Sequence, residues 1–149
     1  MVFRPTVDYL TSLSLMSCAD GLLVIDAPAE TSVFLPSKLI EYIGAARPAL
    51  GITPPGAASK LITELGGWVA DPTDAKGTEK GVLSFISFLR DNRIGTGESW
   101  GDPTVRQRFD AVEVAANFEQ MIDELVPLKE EVVSYRIRNH REVSEGVDN

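Results

Sequence analysis

Soft metal ligands are almost missing from this chain, which holds one cysteine, Cys18, and one histidine, His140, in 149 residues. A lone cysteine excludes an intrachain disulfide and fits a reducing compartment. One cysteine and one late histidine do not make a His/Cys metal site, so neither a metal nor a cofactor is expected. Basic charge is scarce too: 14 Lys and Arg stand against 22 Asp and Glu, for a net charge of -8. That balance argues against sequence-independent nucleic-acid binding, which needs basic surface to neutralise phosphates. A small anion held by local backbone dipoles remains compatible with it.

No apolar run approaches the roughly 20 residues of a membrane span. The longest, Gly21 to Ile25, is the size of a strand. Arg4, Pro5 and Asp8 interrupt any apolar leader, and a cytoplasmic location is the expectation. Three catalytic signatures are missing as well. No G-x-G-x-x-G follows a strand. Gly51 and Gly56 are spaced like P-loop glycines, but Ala57 and Ala58 replace the required Lys and Ser/Thr. No G-x-S-x-G elbow occurs, and the single histidine leaves no Ser-His-Asp set.

What is present is an ordinary globular composition, 44% hydrophobic and 24% charged, over a length suited to one domain. Gly21 to Asp26, Pro48 to Thr53 and Trp68 to Ala70 read as short strands apolar on both faces, the pattern of a parallel sheet covered by helices. Val2 and Phe3 suggest one more. Between them run helical patterns: Thr6 to Cys18 with Val7, Leu10, Leu13 and Met16; Pro36 to Ala46 with Leu39, Ile40 and Ile43; and Gly56 to Leu65 with Leu61 and Ile62. A further helix is expected from about Thr78 to Asn92, with Val82, Phe85, Ile86 and Leu89 on one face and Thr73 or Asp74 as its cap. Ile94 to Pro103 reads as a Gly-rich surface loop. A last helix from near Val112 carries Val114, Phe118, Met121, Ile122 and Leu125. Alternating strands and helices predict an α/β, Rossmann-like, three-layer αβα fold with a parallel sheet of about four strands. Residues 1–126 would form this domain, and 127–149 a charged C-terminal helix and tail. Arg136, Arg138, His140 and Arg141 cluster there as a solvated helix end or a membrane-surface or partner patch.

In open parallel sheets, ligands bind outside the carboxyl ends of the strands. Here those ends deliver Asp26 to Pro36, Thr53 to Gly56, and Asp71 to Asp74. The first loop feeds a helix starting at Pro36, whose free N–H groups and dipole favour a phosphate. Ser37 adds a hydroxyl and Lys38 a charge. Glu41 lies one turn on and can accept hydrogen bonds from a ribose diol. The plainer reading makes Lys38 and Glu41 an exposed i, i+3 pair and Ser37 an ordinary first-turn residue. Asp26 and Asp71 are candidate acids or bases, though strand-end aspartates more often cap or form loops.

The segments Ala19 to Asp26, Leu35 to Ala45, Arg47 to Gly51 and Gly66 to Val69 resemble the donor-binding half of a GT-B glycosyltransferase. The group 1 family of retaining enzymes is most similar, with its K-L-x-E-Y-x-A-x-G-x-P-V-L segment, a loop, a helix and a G-x-x-V strand. The likeness runs from about Val2 to Leu125 and is most specific from Pro36 to Leu50. It implies that Glu41 binds the ribose of a nucleotide-diphosphate sugar and that Pro36, Ser37 and Lys38 face the diphosphate. The stretch from Phe3 to Val7, Arg4 included, would approach the base. A first glutamate, which contacts the donor sugar in many members, has no counterpart: its position falls at Val33, and Glu30 is out of register.

The resemblance also implies a truncated half of the donor domain, inactive in sugar transfer by itself, from an enzyme that works without a metal. The full enzyme would associate peripherally with the inner membrane face on a lipid-linked or polysaccharide acceptor. Sheet edges left open by missing strands predict a homodimer, edge to edge or by exchange of the C-terminal helix. The alternative is a non-catalytic Rossmann-like module that binds a nucleotide or another protein.

Overall fold

A computed structural model describes residues 5–92, 94, 95 and 98–125. In chain order the elements are α1 (Tyr9–Cys18), β1 (Leu22–Ile25), α2 (Ser37–Ala45), β2 (Ala49–Ile52), α3 (Ala57–Glu64), β3 (Trp68–Ala70), α4 (Ala75–Asp91) and α5 (Pro103–Gln107). Helical backbone over 111–125 follows and is termed α6. The chain divides into two compact units between Asp110 and Ala111.

The first unit is an α/β fold around a parallel sheet of order β1-β2-β3. The register sets Leu22 beside Ala49 and Val24 beside Gly51, then Leu50 beside Trp68 and Ile52 beside Ala70. Among the described residues there are three strands. The fourth expected strand, at Val2 and Phe3, lies outside them.

Alternation along the strands separates two faces. A Cβ on Gly51 would meet Ile62 of α3, so that face carries α2 and α3. There Val24, Leu39, Ile43, Ala58, Leu61, Ile62 and Leu65 form the core cluster, with Leu39 and Ile62 wholly buried. Burial of a side chain of that size contributes about 1.5–3 kcal/mol. The other face carries α4: Trp68 meets the rings of Phe85 and Phe88 at 5.2 and 4.6 Å. These are the three layers read from the sequence.

Caps set the helix starts. Asp8 accepts from Thr11 N at the head of α1, Asp74 from Gly77 N at α4, and Asp102 from Thr104 N and Val105 N at α5. At α3 the Ser59 hydroxyl accepts from Gly56 N–H and donates to Gly56 O. α2 ends on Ala46 at φ 52, a left-handed residue whose N–H reaches Tyr42 O and Ile43 O.

Four expectations need correction. β1 is covered on one face only: Leu22 and Val24 are buried, but Leu23 is 44% and Ile25 69% exposed. α4 packs mainly on β2 and β3, and Phe85 and Leu89 approach Gly21 just ahead of β1. The spacing-of-three stripe on α1 buries only Met16, because such a stripe drifts around a helix of 3.6 residues per turn; Leu10 is 72% exposed. On α4, Phe88 rather than Ile86 faces Trp68, and Ile86 is exposed. The segment after Ile94 is also more than a surface loop. Trp100 N–H donates to Ala46 O and its ring stacks 6.3 Å from Trp68.

Candidate functional site at the carboxyl edge of the sheet

The carboxyl ends of all three strands open onto one edge, where the loops 26–36, 53–56 and 71–74 gather. Two of these loops are tied together. Ser32 N–H donates to Pro55 O at 2.9 Å and Ala57 N–H to Ser32 O at 3.0 Å, forming an isolated parallel bridge between Ser32 and Gly56. The backbones approach so closely that a Cβ on Gly56 would overlap the Ser32 carbonyl. An open groove lies over this bridge, lined by Thr31, Ser32, Val33, Gly56, Ala57 and Lys60.

From Ser32 the chain runs through exposed Val33 and Phe34 to Pro36, and α2 begins at Ser37. The N-cap of α2, Pro36, makes no side-chain hydrogen bond, whereas α1 and α4 are capped by Asp8 and Asp74. Leu39 N–H turns back to Pro36 O, and the exposed residues Ser37 and Lys38 open the first turn. Lys38 Nζ contacts Glu41 Oε2 at 2.6 Å, and this contact raises the Lys38 ammonium above its usual pKa. Glu41 is the more sheltered partner, its side chain 25% exposed against 53% for Lys38. Four of the five residues singled out in the sequence, Pro36, Ser37, Lys38 and Glu41, therefore share the start of one helix. Arg4 lies outside the described residues.

The other strand-end carboxylates are engaged in local structure. Asp71 Oδ1 accepts from Thr73 N–H and Thr73 Oγ at 2.8 and 2.7 Å, and those bonds hold its carboxyl below the usual range. Thr78 Oγ donates to Asp71 O, so Asp71 and Asp74 together shape the turn into α4. Asp26 Oδ1 accepts from Ala27 N–H at 2.8 Å. Its Oδ2 is buried with no hydrogen-bond partner. Thr53, wholly buried, donates to Pro54 O.

Two features escaped the sequence reading. The Ser32–Gly56 bridge joins residues that no local pattern relates. Arg47 is the second: although charged, it is only 6% exposed, and its guanidinium donates to Ser17 O, Ile94 O and Gly95 O. It anchors the end of α2 to the end of α1 and to the segment at 94–95.

Comparison of the chain with protein-family models, curated proteins and solved structures finds no match. Among the described residues no helix is long and apolar enough to cross a membrane, and no three His, Cys, Asp or Glu side chains gather as metal ligands.

Proposed function

We propose that the chain binds a nucleoside diphosphate at the carboxyl edge of its sheet. More specifically, it supplies part of the donor site of a GT-B glycosyltransferase that uses a nucleotide-diphosphate sugar. The observation that carries this reading is the start of α2. The segment with the most specific family likeness begins a helix whose N-terminus has no side-chain cap and lies at the ligand-binding edge of a parallel sheet. In that arrangement the Ser37 and Lys38 N–H groups and the Ser37 hydroxyl face the diphosphate. Lys38 leaves Glu41 to pair with phosphate, and the released carboxylate accepts the ribose hydroxyls. The Lys38–Glu41 contact is an exposed ion pair, and such pairs are weak enough for a phosphate to displace. It holds both groups near the positions this reading gives them.

Isothermal titration with UDP and GDP tests this. One of the two is expected to bind in the micromolar range, more tightly than its monophosphate. Glu41→Ala and Lys38→Ala should each weaken it about tenfold or more, a loss typical of a hydrogen bond to a charged group. Binding unchanged by either substitution, or no binding of any nucleoside diphosphate by the folded chain, would overturn the assignment. The second reading, a non-catalytic module, is favoured by the same ion pair, which already satisfies both charges without a ligand.

A further inference from the structure

The second unit carries an apolar surface of its own along α6. Ala111, Val114, Ala115, Phe118, Met121, Ile122 and Leu125 fall within a stripe roughly 120° wide on the helix. The five large members are 51%, 62%, 57%, 46% and 54% exposed for Val114, Phe118, Met121, Ile122 and Leu125. An open apolar groove runs along it, floored by Ala111 and Ala115 and walled by Val114, Phe118 and Met121. The spacing of Ala111, Val114, Phe118, Met121 and Leu125 alternates three and four residues, the repeat of a helix seam that packs on another helix.

We infer that this stripe is an interface between two copies of the chain, with their α6 helices packed antiparallel about a two-fold axis at Phe118. The stripe complements itself in that arrangement. Ala111 meets the partner's Leu125, Ala115 the partner's Met121, and Val114 the partner's Ile122, so small residues receive large ones. The two Phe118 rings meet on the axis. Charge selects the direction. Residues 111–125 include Glu113, Glu119, Asp123 and Glu124 and no Lys or Arg. A parallel, in-register pair would set Glu119 beside Glu119 and Glu124 beside Glu124. The antiparallel pair sets Glu124 against Val112 and Glu119 against Asn117. It leaves like charges facing only between Glu113 and the partner's Asp123, where the parallel pair would set all four acidic residues beside their own copies.

The area is sufficient for a weak dimer. With about 200 Å² for each large side chain, the exposed fractions leave about 500 Å² per copy. Two copies bury about 1,000 Å², more than most adventitious contacts and near the lower limit of specific interfaces. Association in the tens of micromolar is expected.

Sedimentation equilibrium on the full chain from 2 to 200 µM, approximately one decade either side of that value, reads the outcome. A monomer–dimer equilibrium is expected, weakened roughly thirtyfold or more by Phe118→Glu or Met121→Glu, the loss typical of a central interface residue. Circular dichroism should match wild type, because both side chains are exposed. Direction is read by oxidative cross-linking in a Cys18→Ser background. Ala111→Cys mixed with Leu125→Cys should give a disulfide-linked pair, and neither variant alone should. Monomer at every concentration, a dimer indifferent to both glutamates, or cross-links within each single variant would each overturn the inference.

Discussion

Replacing Gly56 with alanine should detach the 26–36 loop from the sheet edge, and the size of the effect follows from two hydrogen bonds. The new Cβ would overlap a backbone carbonyl, that of Ser32, rather than the tip of a side chain that could rotate away. The strands of the bridge must separate, which sacrifices Ala57 N–H to Ser32 O and Ser32 N–H to Pro55 O. At about 0.5–1.5 kcal/mol each, the loss is about 1–3 kcal/mol. Urea unfolding measures it. Hydrogen exchange locates it: amides from Ser32 to Phe34 and Ala57 should lose protection, while the core helix α3 beyond Ser59 keeps its own. Gly44→Ala is the internal control. Gly44 lies inside α2 with nothing near its missing Cβ. There alanine should stabilise by about 0.5–1 kcal/mol through helix propensity alone. If Gly56→Ala matched wild type in both stability and exchange, the bridge would have no mechanical role.

Leu39→Ala, at a wholly buried core position, should cost about 3–5 kcal/mol in denaturant unfolding. Arg47→Met should cost about 3 kcal/mol or more by the same measurement, since it leaves carbonyls of Ser17, Ile94 and Gly95 without their donor. Removing the α4 cap with Asp74→Ala should cost about 1 kcal/mol, read as a lowered thermal midpoint. Asp8 and Asp71 are held below the usual carboxylate range by bonds from Thr11 and Thr73. Their contribution is therefore complete above the ordinary aspartate pKa and lost as pH falls through the depressed values. A urea midpoint followed below about pH 4 should decline less steeply in Asp8→Asn and Asp71→Asn than in wild type.

The order from α1 to α4 was legible because each element is written locally: apolar runs for β1 to β3, a cap at Thr73 or Asp74, a proline ahead of Ser37. The short α5 at Pro103–Gln107 was not read. Coverage of β1 was not. Whether Leu23 and Ile25 are buried depends on how far α4 reaches across the sheet, and nothing in a four-residue strand encodes that. Arg47 was invisible for a related reason, since its three acceptors lie far along the chain in either direction. At the candidate site, the i, i+3 spacing of Lys38 and Glu41 foretold their contact. The bridge that positions the loop ahead of them depends on a backbone approach that only the folded chain displays.

The sheet order has a consequence for synthesis. Each strand lies beside the one made immediately before it, so β1 and β2 can pair as soon as α2 and the turn after it have left the ribosome. β3 then adds to a template already in place. Among the described residues, no strand must wait for a later segment to be inserted between it and its neighbour. Pairing of consecutive strands keeps each closed loop to a single crossover, which favours stepwise assembly. A stalled-nascent-chain series should therefore show protease protection of β1 and β2 once β2 has left the exit tunnel and before Trp68 has done so.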